Sequence, residues 1–196
     1  ITMELASGEK QVFFVKYQDS RPDVLGYETC KLAGVPAPRV VAEEGGQHLA
    51  FKDVSGKQIK YGIFEDISKY KGEMMFGGRK IQLEAVASQP LGRISNDIDL
   101  HKVLIDHPEL FWEEFGYMQT GALSVGGWDG HENNSWAMLL KVSDQDALFL
   151  ERQGYKIFDL DGQKTIFRMG RIDLDSVGHI MGKKLTDGSY DFSDYF

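Results

Sequence analysis

The sequence predicts an α+β fold in two lobes, a small strand-rich one over residues 1–67 and a larger, mainly helical one over residues 68–196. Three observations support this prediction. Short strand-like runs joined by polar, Gly-containing turns dominate the first part. A long amphipathic pattern with helical spacing occupies the middle of the second part. A Gly-rich stretch, "KYKGEMMFGGRK", separates the two and is interpreted as a linker.

Composition is that of a folded domain with an acidic surface. The chain has 196 residues, 42% of them hydrophobic, and a formal net charge of −8. An excess of acids disfavours nonspecific binding to nucleic acid or to anionic membranes, because both attract basic faces. We therefore expect no nucleic-acid partner and no membrane partner. The protein is also expected to be a monomer.

The single cysteine, Cys30, excludes an intrachain disulfide and a Cys-based zinc site, which is typical of a reducing compartment. No apolar run approaches the roughly 18 residues of a membrane span, and no signal-peptide pattern is visible. The chain begins at Ile1, inside a strand-like run, so we expect natural sequence to precede it.

The first part reads as β-β-α-β-β. Apolar runs on both sides of the turn at residues 7–10 predict a hairpin. The segment 21–34, "RPDVLGYETCKLAG", predicts a helix that Pro22 opens and Gly34 ends. Two prolines make 35–44 an extended entry to the next strand, and two more strands flank Ser55-Gly56.

The second part is expected to be mostly helical at its start. Residues 98–125 carry the helical pattern, and Pro108 opens its second half. A strand, "SWAMLLKVS", follows at 135–143, and residues 146–167 are predicted to form short strands and turns.

A polar motif lies between that helix and that strand, in "SVGGWDGHENNSWAMLL" at 124–140. Asp129, His131 and Asn134 stand at i, i+2 and i+5, which predicts a catalytic loop over 128–134. The carboxylate can accept a proton from a hydroxyl, and an amide oxygen is a ligand that Mg²⁺ accepts. His131 is expected to hold the loop backbone by hydrogen bonds. The alternative is a polar turn whose side chains cap its own backbone.

A second metal ligand is expected just past the strand that follows Asn134. Asp144, in the segment 142–146, is placed there if a tight hairpin follows. Asp159 or Asp161 is the competing acid, and either requires a longer insertion. Asp144 and Asp146 can also be plain turn residues.

Lys16 lies between apolar neighbours in "QVFFVKY", and Glu28 on the next helix can supply its charge partner. Alternatively, Lys16 protects a sheet edge and Glu28 is a surface residue. A strand lysine, a helix acid, a loop aspartate with asparagine and a metal-binding aspartate are together the parts of phosphoryl transfer from ATP.

These motifs resemble a known family. "WDGHENN" resembles the D-x-H-x-x-N catalytic loop shared by atypical protein-kinase-like enzymes, phosphoinositide kinases and aminoglycoside phosphotransferases. "YETCKLAGVPAPRVV" is similar to the passage from the αC helix to the fourth strand in aminoglycoside and choline kinases. With its small size, the chain most resembles the HopBF family of minimal bacterial type III effector kinases.

The resemblance implies a protein-kinase-like fold that binds ATP and Mg²⁺. By position, Lys16 would contact the α- and β-phosphates, Glu28 would orient Lys16, and Asp129 would be the catalytic base. The metal ligands would be Asn134 and Asp144. The adenine would lie against Glu65, Asp66 and Ile67.

It also implies a secreted serine/threonine kinase, delivered by a type III system into the host cytoplasm. The substrate would be a host protein, in this family a serine of the ninety-kilodalton heat-shock chaperone, whose inactivation makes the effector a toxin and virulence factor. Asp144-Gln145-Asp146 replaces the usual Asp-Phe-Gly, and no Gly-rich loop precedes Lys16. Glu28 also follows Lys16 more closely than in standard protein kinases.

Other functions compatible with these motifs are a small-molecule or lipid kinase, an AMP- or glutamyl-transferase that uses the same cleft, and a pseudokinase that only binds. The acidic charge disfavours a membrane-bound lipid substrate. The missing Gly-rich loop favours the pseudokinase.

Overall fold

The structure is a computed structural model. It describes residues 2–4, 8, 10–16, 21–39, 50–52, 58–60, 62–123, 134–172, 183–184 and 190–191. The α+β prediction is confirmed by several helices and a strand-rich sheet.

The first part contains a three-stranded antiparallel sheet with the order β1-β2-β5. The predicted hairpin is confirmed as β1 (Thr2–Glu4) paired with β2 (Lys10–Lys16), and β5 (Gly62–Glu65) pairs with the other edge of β2. The predicted helix is α1 (Arg21–Leu32). Gly34, at φ 69°, lies just past its end, where a left-handed residue is common. The strands around Ser55-Gly56 are β3 (Ala50–Lys52) and β4 (Gln58–Lys60), a separate pair.

A five-stranded antiparallel sheet with the order β6-β7-β8-β10-β9 forms the centre of the second part. Its strands are β6 (Lys71–Phe76), β7 (Arg79–Pro90), β8 (Ser135–Lys141), β9 (Ile157–Leu160) and β10 (Gln163–Arg171). The prediction of a mainly helical second part is therefore wrong. A further pair, β11 (Lys183–Lys184) with β12 (Tyr190–Asp191), lies near the C-terminus.

The predicted linker is also wrong, because its residues form the β6–β7 hairpin. Gly77 and Gly78 both have positive φ, 52° and 82°, and form the two-residue turn between Phe76 and Arg79. Such a turn matches the twist of the strands on either side of it. Met74 and Phe76 are buried at alternate positions, as in a strand with one buried face.

The predicted helix over 98–125 is confirmed, with one break. It divides into α2 (Ile98–Asp106) and α3 (Pro108–Leu123), so Pro108 does open the second half. The Asp97 side chain caps α2 by accepting hydrogen bonds from the amides of Asp99 and Leu100.

Residues 146–167, predicted as strands and turns, begin with a helix instead. This is α4 (Asp144–Arg152), and the Ser143 hydroxyl caps it by accepting from the Asp146 amide at 3.1 Å. The remaining part is the predicted strand pair, β9 with β10.

The core is built on both faces of β8. Ala137 and Leu139 join a buried cluster with α1, α2 and α3, whereas Met138 and Leu140 join a second cluster with β6, β7 and α4. A strand covered on both sides carries apolar residues at every position, which explains the run "AMLL". Within the described part of the chain, no helix has the length and apolarity to cross a membrane.

Candidate active site

The polar motif ends where β8 begins. Asn134 is buried, with 5% of its surface exposed, and its carbonyl oxygen accepts a hydrogen bond of 2.9 Å from the Ile172 amide. The next residue along β8, Ser135, pairs with Arg171 at the end of β10. Asn134 and Ile172 therefore lie side by side where the β8–β10 pair ends. Asp129 and His131 lie outside the described residues.

Asp144 lies at the opposite end of the same strand pair. It begins α4, and the seven residues of β8 followed by Val142 and Ser143 separate it from Asn134. At about 3.3 Å per residue, that strand spans about 23 Å. A Mg²⁺ ion lies about 2 Å from each of its oxygen ligands. The prediction that Asn134 and Asp144 hold one metal ion is therefore wrong, because a helix follows β8 where a tight hairpin was expected.

The competing acids, Asp159 and Asp161, are at that far end too. Asp159 pairs with Lys164 on β10, and its neighbour Thr165 pairs with Lys141, the last residue of β8. One Asp159 oxygen binds the Lys164 ammonium at 2.7 Å, and the other accepts from the Gly162 amide at 2.8 Å. These bonds to Lys164 and Gly162 lower the pKa of Asp159. Asp159 thus stabilises the β9–β10 turn.

The pairing of β8 with β10 identifies a candidate that the sequence reasoning missed. The chain returns to Asn134 only at the end of β10, after the excursion through α4 and β9. Asp173 follows Ile172 directly and lies outside the described residues. The available signal was the segment "TIFRMG", whose Ile166, Phe167 and Met169 are apolar, as expected for a strand that pairs within a sheet.

The predicted Lys16–Glu28 pair remains a prediction. Lys16 is the last residue of β2, opposite Gly62, and its side chain is outside the described part. The Glu28 carboxylate is 57% exposed and lies 4.0 Å from the Lys31 ammonium, one turn along α1. Such a surface pair contributes little to stability.

A cavity of about 710 Å³ contains the predicted adenine segment. Lys10 and Val12 of β2 line it, together with Glu65, the last residue of β5, and Ile67 just after that strand. Lys16 is the last residue of β2. The volume is in the range of small-molecule sites.

The described lining of this cavity is rich in charge. Four cations line it, and so do three acids: Lys10, Arg39, Lys69, Lys71, Glu65, Asp66 and Glu84. The Glu65 carboxylate is held by the Arg39 guanidinium at 2.7 and 3.0 Å. Asp66 is occupied as well, because it accepts from the Ser68 amide. The three lysines lie outside the Arg39–Glu65 pair and add positive charge to the lining, with Glu84 opposite Lys71 in the β6–β7 register.

Two tyrosines, Tyr27 and Tyr70, also line the cavity. Burial is the main cause that raises the pKa of both, and the charge of Glu28 adds to the effect on Tyr27. Both phenols therefore stay protonated at neutral pH and offer a ring face and a hydroxyl. The cavity thus combines aromatic surface with cations, which suits a ligand that has a ring and an anionic tail.

No protein-family model, curated protein or solved structure matches the chain. Among the residues that the structure describes, no three His, Cys, Asp or Glu side chains come close enough to hold a metal ion.

Proposed function

We propose that the protein is an ATP-dependent protein kinase with a two-lobed, kinase-like arrangement of residues 1–67 and 68–196. One observation supports this most directly. Helix α3 leads into the motif that carries Asp129, and the motif's last residue, Asn134, starts β8 beside the end of β10. We propose that Asp129, which precedes Asn134 in the chain, and Asp173, which follows Ile172, act at this end of the sheet.

Each part of the proposed reaction has a residue. The nucleotide base occupies the 710 Å³ cavity against Glu65 and Ile67. Lys16, the last residue of the strand that contributes Lys10 and Val12 to the cavity, contacts the phosphates. The oxygen of the acceptor hydroxyl forms a bond to the γ-phosphorus, and Asp129 accepts the proton of that hydroxyl. The bond from that phosphorus to the bridging oxygen breaks, and ADP leaves.

The metal ligands in this proposal are Asn134 and Asp173, and Asp173 replaces Asp144. A buried amide at a strand end fits Mg²⁺, which takes one or two protein oxygens and leaves its other positions to water and phosphate. The bound ion would neutralise charge on the transferred phosphoryl group. His131 is proposed to hold the loop backbone, and Glu28 to orient Lys16.

The substrate class follows from the resemblance to the HopBF family. We propose a host protein phosphorylated on serine or threonine, with the ninety-kilodalton heat-shock chaperone as first candidate, after delivery by a type III secretion system. The formal net charge of −8 supports a protein acceptor over a lipid in an anionic membrane.

The test uses the whole chain with Mg²⁺, the purified chaperone and a host lysate, and ATP labelled at either the α- or the γ-phosphate. We expect γ-label on protein, and loss of that label in Asp129→Asn. Asp144→Asn is the matched control and should keep the activity. Label from the α-phosphate would show adenylylation, and label in the lipid or small-molecule fraction would show a different kinase. Full activity of Asp129→Asn would overturn the assignment.

A further inference from the structure

A buried guanidinium joins three elements that carry the proposed site. The Arg168 side chain, on β10, is 3% exposed, and its Nη1 lies 2.7 Å from Oε1 of Glu114 on α3. Its Nη2 donates a bond of 2.7 Å to the carbonyl oxygen of Gly34, just past the end of α1. One planar group on β10 therefore binds both α3 and the segment that follows α1.

Neighbouring groups complete the same cluster. The other Glu114 oxygen accepts from the Met169 amide at 3.3 Å, and the Tyr117 hydroxyl donates to the Ala33 carbonyl at 2.6 Å. The guanidinium carbon of Arg168 lies 4.9 Å from the centre of the Tyr117 ring and 5.7 Å from that of Phe76. Both carbonyls at the end of α1 are thus held by side chains of the second part.

The connection continues toward the end of β10. The Pro36 carbonyl accepts from the Arg171 amide at 2.8 Å, next to the bond between Ile172 and Asn134. The segment after α1 is consequently fixed to β10 beside the proposed metal site. Gly34 lies two residues past the end of α1, and Pro36 is bonded to β10 one residue before Ile172.

We propose that Arg168 is a positioning residue for phosphoryl transfer. Its guanidinium binds both Gly34 and Glu114, and these two bonds fix the position of α1 relative to α3 and β10. This inference rests on the proposed kinase function. Helix α1 carries Glu28, α3 leads to Asp129, and β10 ends beside Asn134. Small displacements between such groups lower the rate of the chemical step, by about 100-fold for about 1 Å.

Arg168→Lys is the informative change. A lysine ammonium keeps the charge but lacks the planar fork, so it cannot hold the carboxylate and the carbonyl in the same geometry. None of the described cavity-lining residues is Arg168, Glu114 or Gly34. We therefore expect kcat to fall by about tenfold or more while KM for ATP changes by less than about threefold.

Arg79→Lys is the matched control. Arg79 also pairs with a carboxylate, Asp146, at 2.6 Å and lies over a ring, Phe149, at 5.2 Å. It joins β7 to α4 and contacts neither α1 nor α3 in these bonds. The kcat of Arg79→Lys should equal that of the wild type. Equal losses of kcat in Arg79→Lys and Arg168→Lys would overturn the proposal.

A second variant covers the case in which Arg168→Lys does not fold. Tyr117→Phe removes only the hydroxyl bonded to Ala33, and this side chain is 49% exposed. A lower kcat with unchanged KM is expected again, and unchanged kcat in this folded variant would count against the positioning role.

Amide hydrogen exchange separates this inference from the proposed function, because it needs no activity. We expect the Val35 and Arg171 amides to exchange faster in Arg168→Lys than in Arg79→Lys. If the wild type transfers no phosphate, the kinase proposal fails and exchange alone decides whether Arg168 fixes this segment. Unchanged exchange at both amides would overturn the inference.

Discussion

The Ile172 amide donates a 2.9 Å hydrogen bond to the carbonyl oxygen of Asn134, and this bond closes one end of the β8–β10 pair. The residue after Ile172 in the chain is Asp173, the acid that we propose as the second metal ligand.

Asp173→Asn should abolish Mg²⁺-dependent phosphoryl transfer, because a neutral amide binds Mg²⁺ more weakly than a carboxylate does. Asp159→Asn is the control at the far end of the same strand pair and should keep the wild-type rate. The measurement is the initial rate over a Mg²⁺ titration. An active Asp173→Asn together with an inactive Asp159→Asn would return the metal site to the far end.

The Glu114–Arg168 pair should show strong coupling in a double-mutant cycle. Glu114→Leu leaves a buried guanidinium without its carboxylate, and breaking a buried ion pair in this way costs about 3–5 kcal/mol. Changing both residues, Glu114→Leu with Arg168→Met, should cost less than the sum of the two single changes. Urea denaturation of the four proteins gives the coupling, and simple additivity would contradict it.

The pKa of Asp159 should depend on Lys164. The pair lowers the pKa of the carboxyl below its ordinary 3.8 in the folded protein. The contribution of this pair to folding stability is therefore fully present above pH 3.8. It is lost as the pH falls through the lowered pKa that Asp159 has in the folded protein. Lys164→Met should raise the pKa of Asp159 in an NMR titration. Lys80→Met, which removes the partner of Glu73, should leave it unchanged.

Two glycines should respond in opposite directions to alanine. A Cβ at Gly170 would meet the Met138 methyl and lie 2.7 Å from the Pro36 carbonyl oxygen, so Gly170→Ala should cost about 1–3 kcal/mol. A Cβ at Gly116, within α3, meets nothing within 4 Å. Gly116→Ala should therefore stabilise the protein by about 0.5–1 kcal/mol. Chemical denaturation compares the two, and a neutral Gly170→Ala would contradict the close approach.

Local patterns predicted the elements whose signals are local. Pro22 and Gly34 marked the ends of α1, and Pro108 marked the start of α3. Two missed elements also carried local signals. Alternating buried residues, Met74 and Phe76, precede the Gly77-Gly78 turn of β6–β7, and Ser143 is the N-cap of α4.

The site could be predicted only in part, because it depends on pairing between distant strands. The motif around Asn134 was visible in the sequence, but its metal-binding partner depends on which strand pairs with β8. Chain distance favoured Asp144, whereas the register places β10 beside β8 across an intervening helix and strand. No local period encodes that register, since hydrogen bonds and packing between distant segments set it.

The excursion through α4 and β9 leaves and rejoins the sheet at the end remote from Asn134. Gly154 lies on it, exposed, at φ 92°, where an added Cβ would meet nothing within 4 Å. This makes the turn a natural attachment point, where a fluorophore or an affinity tag can be inserted while the opposite rim keeps its geometry.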